Sequence, residues 1–331
     1  MSARTRLVNR LVEIVGPDLE IDALGTGWPS LATLHVGSER LPVALFVSAI
    51  TLGHRPTRYG VERRFQNPAS GVPLVDVAGR LSVLLGVWEE DRYLALGHPI
   101  VAVADARRRE RRATRWSVFL ALRGLTRALE LGWASTTSES NERIYYLHPA
   151  LLPVAIGASA SGAEPDEAAV AHALGVLEFE DLANLQTASP AGERVRRTVT
   201  SLVRQSRFSG AVLGAYGGQC AMCGLGVGLV EGAHIYPVSA PGSDDRPSNG
   251  LALCANHHLA FDRHLVGVDP LTLQIAFHPS MLAAAASDPA VRRFVESTSG
   301  SLRPAARGSA PDREAFRMRY SYYVHEYDWL I

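Results

Sequence analysis

The chain has three cysteines, Cys220, Cys223 and Cys254, and with His257 they form Cys-x2-Cys followed thirty residues later by Cys-x2-His. Two ligands separated by two residues share one tight turn and can take adjacent corners of a tetrahedron, which is the spacing of a structural Zn2+ site. A second set lies almost wholly inside the first: His234, Asn249 and His258, with Asp262 four residues beyond His258. Residues at i and i+4 share a helix face, so His258 and Asp262 would point the same way. An imidazole titrates near neutrality, with an unperturbed pKa of about 6.5, and can act as proton acceptor or as metal ligand. The arrangement is a metal knuckle clamping the ends of a segment that carries two further histidines and an asparagine.

Four stretches, Cys220 to Cys223, AHIYP at 233–237, NGLALC at 249–254 and HHLAFDR at 257–263, together resemble the HNH (ββα-metal) endonuclease family in its zinc-stapled branch. The resemblance covers residues 205–270, about a fifth of the chain. It implies that His234, on a strand, is the general base that takes a proton from the attacking water. Asn249 would fix the loop between strand and helix or help to orient His234. His258 would hold one divalent cation, Mg2+ or Mn2+ or another, against the scissile phosphate. Asp262 would coordinate that ion or orient the His258 ring. Many family members place an acid directly before the first histidine as a second metal ligand; that position is Ala233 here, and Glu231 is a weaker substitute. The plain alternative is a zinc finger without catalysis, which has no use for His234 and Asn249 at this spacing.

At 331 residues, 47% hydrophobic and 20% charged, the composition is that of an ordinary soluble globular protein with room for two domains. Lys is absent, and 33 Arg balance 33 acids. A neutral total argues against a non-specific polyanion binder without excluding a local basic face. Residues 1–150 hold 19 Arg against 15 acids, 151–200 hold 3 against 7, and 201–331 hold 11 against 11. An odd number of cysteines at metal spacing suits a reducing compartment. No signal-peptide core and no window of ~18 apolar residues is present, so a cytoplasmic location without membrane contact is expected.

The expected fold class is α+β, in three parts. Residues 1–157 form a β-rich mixed domain, with a helix at 4–15, strand runs at 31–36, 41–50, 81–88, 93–96, 100–104 and 144–147, and a helix over WSVFLALRGLTRALEL at 116–131. Residues 158–189 are an acidic linker region. Residues 190–331 hold the HNH unit, entered through an Arg-rich helix at 193–207 and closed by RMRYSYYVHEYDWLI, whose alternating aromatics read as a strand.

The partner implied by the resemblance is double-stranded DNA. Arg107, Arg108, Arg109, Arg111, Arg112 and Arg115 place six guanidinium groups within nine residues, suited to phosphate contacts. Arg63, Arg64 and Gln66 could read a base edge, although a turn with a buried Phe65 explains that run equally well. Arg263 could touch phosphate. An N-terminal reader joined to a C-terminal HNH unit resembles restriction enzymes of host defence, modification-dependent or type II. The first domain would then read the target, a modified base or backbone among the options, and a homodimer would serve double-strand cleavage. The runner-up is a non-catalytic zinc-finger DNA-binding regulator.

Overall fold

The computed structural model describes all residues except 1, 26, 37–38, 69–71, 113, 161, 163, 178–181, 183–189, 304, 306–309 and 331. The chain divides into two compact units, residues 1–160 with 164–203 and residues 161–163 with 204–331.

The first unit opens with α1 (Ala3–Val15), started by the Ser2 hydroxyl accepting from the Thr5 amide and burying Val8, Leu11 and Val15. Nine strands follow among the described residues: β1 (Leu19–Ala23), β2 (Ser30–Val36), β3 (Glu39–Ala49), β4 (Glu62–Gln66), β5 (Leu81–Trp88), β6 (Ile100–Ala104), β7 (Ser117–Ala121), β8 (Trp133–Thr137) and β9 (Arg143–Leu147). Seven of them make one sheet in the order β1-β2-β3-β5-β6-β9-β8, with β3 and β5 parallel, and β4 pairs with β7 as a separate antiparallel ribbon. Strand side chains alternate between faces, so β3 sends Leu45 and Val47 into one core and Ala44 and Phe46 into another. Burial on both faces explains why residues 83–88 of β5 and all of β6 read as unbroken apolar runs. With α1, the α-helices wholly within this unit among the described residues are α2 (Leu122–Leu131), α3 (Leu152–Ala160) and α4 (Glu167–Val176).

Three expectations for this unit are corrected. Only Leu122–Leu131 of the 116–131 run is helical, and its first part is the strand β7. Val118 and Leu120 of β7 are buried while Phe119 between them is exposed, a period of two concealed by an apolar sequence. Tyr93–Leu96 makes no strand. The acidic stretch after residue 160 is not bare spacer, since Val170, Leu177 and Leu182 are buried in the first unit's core.

Helix α5 (Pro190–Ala215) contains the division between the units. The second unit continues with β10 (Val230–His234), β11 (Gly250–Cys254), α6 (Ala255–Asp262), β12 (Val266–Val268), β13 (Ile275–Phe277), α7 (Pro279–Ser287), α8 (Pro289–Ser297) and α9 (Arg313–Tyr322). The C-terminal aromatic run is therefore a helix followed by turns, not a strand. Asp312 caps α9 by accepting from the Glu314 amide, and Phe316, Arg319 and Tyr320 are buried at helical spacing. Among the described residues no helix is long and apolar enough to cross a membrane.

Candidate active site

Strands β10 and β11 pair antiparallel, from Val230 opposite Cys254 to His234 opposite Gly250, and α6 follows β11 directly. One end of this hairpin therefore meets the metal knuckle and the other carries His234. Helix α5 lies close against it. A Cβ added at Gly232 would sit 2.6 Å from Ser209 Cα, and one at Gly250 would sit 2.3 Å from Val212 Cγ2. Only glycine permits that approach.

At the knuckle, the ligand atoms of Cys220, Cys223, Cys254 and His257 all lie within 4.8 Å of one another. His257 Nδ1 is 3.1 Å from Cys254 Sγ and 3.8 Å from Cys220 Sγ, and the Cys223 and Cys254 sulfurs are 3.9 Å apart. The other ring nitrogen of His257 meets Thr298 Oγ1 at 2.9 Å, which fixes the ring with Nδ1 towards the thiols. Burial pushes the Cys223 thiol up to about 12 and raises that of Cys254. Burial also opposes the Cys220 thiolate, but the His257 ring and backbone amides outweigh it and bring that thiol down to about 6. Three thiols and one imidazole converging within 4.8 Å make the donor set of a tetrahedral site, so the cluster could hold zinc.

His234 leaves β10 with its ring stacked on Phe208 of α5, centroids 3.6 Å apart and planes 9° from parallel. Its Nε2 lies 3.0 Å from Asp245 Oδ1, and Asp245 Oδ2 is held by Arg204 Nε at 2.5 Å. A carboxylate can only accept, so Nε2 carries the proton and Nδ1 presents a lone pair. Burial holds the His234 imidazole below its ordinary pKa, with Asp245 pulling the other way.

Asn249 is buried and secures the loop after β10. Its Oδ1 accepts from the Tyr236 amide at 2.8 Å, while its Nδ2 donates to the carbonyls of Asp244 at 2.8 Å and Tyr236 at 3.2 Å. That loop carries Asp245, so Asn249 acts on His234 indirectly.

On α6, His258 stands between two carboxylates. Its Nδ1 is 3.1 Å from Glu231 Oε2 and its Nε2 is 3.4 Å from Asp262 Oδ2. Glu231 and Ala233 share one strand face by the period of two, so Glu231 brings an acid to the side where Ala233 has none. All three side chains reach solvent, and an imidazole with flanking carboxylates suits a divalent cation.

Residues 220–269 match the family model described as HNH endonuclease. This segment is an HNH endonuclease domain. No curated protein matches the chain. Among solved structures, the chain is similar to a modification-dependent TagI restriction endonuclease, at 15% identity over 85% of this chain and 81% of that one, with a TM-score of 0.34.

Of the residues expected to meet DNA, two are corrected. Arg63 is 1% exposed and gives its guanidinium to Asp91 and to the Tyr59 and Glu62 carbonyls. Arg109 is buried in a two-pronged pair with Glu142, at 2.5 and 2.6 Å. Both are internal ties, because a buried guanidinium needs an anion beside it. Arg107, Arg108, Arg111, Arg112, Arg115 and Arg263 are exposed, and Arg64 and Gln66 are half-buried on the other face of β4 from Arg63. Sequence reasoning missed Asp245, Arg204 and Phe208 around His234. The one hint was an Asp-Asp pair in a loop between two motif residues.

Proposed function

We propose that the chain is a divalent-metal-dependent DNA endonuclease of restriction type, its HNH domain breaking the phosphodiester bond and its first unit reading the target. The observation that carries this is His234, its pKa lowered by burial and its ring oriented by Asp245, in the same hairpin-helix unit as His258 with its two carboxylates.

Water positioned at a scissile phosphate would give its proton to His234 Nδ1. Asp245 then faces the imidazolium that forms, and Arg204 keeps Asp245 in place. His258 with Glu231 and Asp262 would hold the divalent ion, one ring nitrogen as ligand and the other bonded to a carboxylate. When bound, such an ion stabilises charge on the phosphate and on the leaving 3′ oxygen. Cleavage of this kind leaves 5′-phosphate and 3′-hydroxyl ends. Cys220, Cys223, Cys254 and His257 would hold a Zn2+ whose role is to fold the finger. One HNH site acts on one strand at a time, so double-strand cleavage would take two copies of the chain.

The first unit carries a cleft of about 1180 Å3 over the β4–β7 ribbon, lined by Arg55, Arg58, Arg123 and Phe119 among others. Phe119 is 38% exposed with the Arg55 guanidinium 4.9 Å from its ring centre, a pairing able to stack a base and touch phosphate. The exposed arginines between 107 and 115 add to the case. A modified base or backbone as the feature read is the finest part of the reading.

Plasmid nicking in Mg2+ or Mn2+, abolished by EDTA, tests the nuclease reading; DNA binding with no nicking under any ion would instead favour the zinc-finger regulator. Binding of the full chain in Ca2+ to matched duplexes, unmodified and methylated, hydroxymethylated or phosphorothioated, tests the reader. Equal binding to all would discard modification dependence and leave the nuclease standing.

A further inference from the structure

We propose that Arg319 of α9, well beyond the end of the matched HNH segment, is a positioning residue that sets the spacing of the two catalytic histidines and of the ion-holding carboxylate. The inference rests on the nuclease reading above.

Arg319 is 2% exposed. Its Nη1 donates to the carbonyl of Ile235 at 3.1 Å and its Nη2 to the carbonyl of Phe261 at 2.7 Å, while Nε meets the Tyr327 hydroxyl at 2.8 Å. Ile235 directly follows His234, and Phe261 directly precedes Asp262. One planar fork thus ties the exit of β10 to the end of α6, the two elements that carry His234 and His258. The guanidinium also lies 3.9 Å from the Phe261 ring centre and 4.0 Å from Asp262 Oδ1, the carboxylate that meets His258 Nε2.

A cation held mainly by carbonyls and a phenol, with its one carboxylate 4.0 Å away and largely exposed, is a poor way to build a core, since desolvation of the charge outweighs neutral hydrogen bonds. Its use lies in what it spans. Lys offers a point charge on a flexible stem and cannot bridge two carbonyls while lying flat on a ring, so the fork itself is required.

The test uses the zinc-loaded full chain with Arg319→Lys and Arg319→Met. Mn2+ titration followed by EPR reads the ion site without turnover, and single-turnover cleavage of a saturating duplex reads the chemistry. Both variants should bind Mn2+ about tenfold more weakly and cleave about a hundredfold more slowly, the range seen when groups behind metal ligands are removed. KM for DNA should stay within about twofold, with one zinc per chain and a cooperative thermal transition retained. If the Met variant does not fold, the Lys variant, which keeps charge and bulk, carries the test. Wild-type Mn2+ affinity and rate in Arg319→Lys would overturn the proposal, as would losses that merely track an unfolded fraction. A wild-type chain that neither binds Mn2+ nor cuts DNA removes the nuclease reading with it; a cutting wild type with an unaffected Lys variant removes this inference alone.

Discussion

His257 and His258 are neighbours in sequence and opposites in surroundings. His257 is 1% exposed, turned onto three thiols and locked from behind by Thr298, whereas His258 reaches solvent between two exposed carboxylates. A helix turns each residue about 100° from the last, enough to send adjacent imidazoles to different chemistries. Soft, buried, mutually converging donors make a closed site that holds a fold together. Hard donors open to water make a site where a substrate oxygen can enter. The lesson is that the knuckle and the proposed catalytic centre should fail in different ways.

The largest expected effect tests the closed site. Cys223→Ala should abolish zinc binding and, with it, order in the β10–β11–α6 finger, where metal supplies on the order of 10 kcal/mol of folding energy. Circular dichroism should show the sheet of the first unit persisting while elemental analysis finds no zinc; a finger that stays ordered without metal would collapse the comparison. At the open site, His234→Ala and His258→Ala should each cut the cleavage rate by about 10²–10⁴-fold with zinc still at one per chain. Near wild-type cutting by His234→Ala would refute its role as base.

A third prediction carries the comparison to the first unit, where the buried Arg109 and Glu142 pair with each other. Arg109→Met leaves Glu142 buried and uncompensated and should destabilise that unit by about 3–5 kcal/mol in denaturant titration, whereas Arg109→Met with Glu142→Leu should recover most of it. Poor recovery would instead point to the Asp105 backbone, whose amide donates to Glu142 Oε1 at 3.2 Å and whose carbonyl accepts from Arg109 Nη1 at 3.0 Å.

The smallest effect sharpens the view of His234. A base works when neutral, and burial holds this imidazole below its ordinary pKa, so activity should persist as pH falls through about 6.5 and drop only at lower pH. Asp245→Asn removes an interaction that favours the imidazolium, so the acid limb should move lower still. The plateau rate should fall about tenfold or more as the ring loses its fixed tautomer. A limb that moves to higher pH would contradict the assignment.

What could be read in the sequence was what is local. The ligand spacings, β5 and β6 to the residue, and the helix at the N-terminus all follow from periodicity or from separations of a few residues. What could not be read depends on distant partners. Arg63 and Arg109 look like DNA contacts until Asp91 and Glu142 arrive from 28 and 33 residues away. Arg319 reaches a carbonyl 84 residues upstream. The strand β7 was hidden because its outward Phe119 is as apolar as its inward neighbours. The C-terminal aromatics misled because Phe316 and Tyr320 fit a helical face as well as their neighbours fit alternation.

The close seat of α5 on the hairpin at Gly232 and Gly250 bears on how this nuclease can be moved between proteins. A cassette cut at Cys220, where the family match begins, would leave Phe208 and Arg204 behind and expose a bare glycine surface to water. A donor fragment for chimaeric enzymes would have to begin inside α5 and run through α9, and a recipient scaffold would have to end in a helix that can be joined in phase.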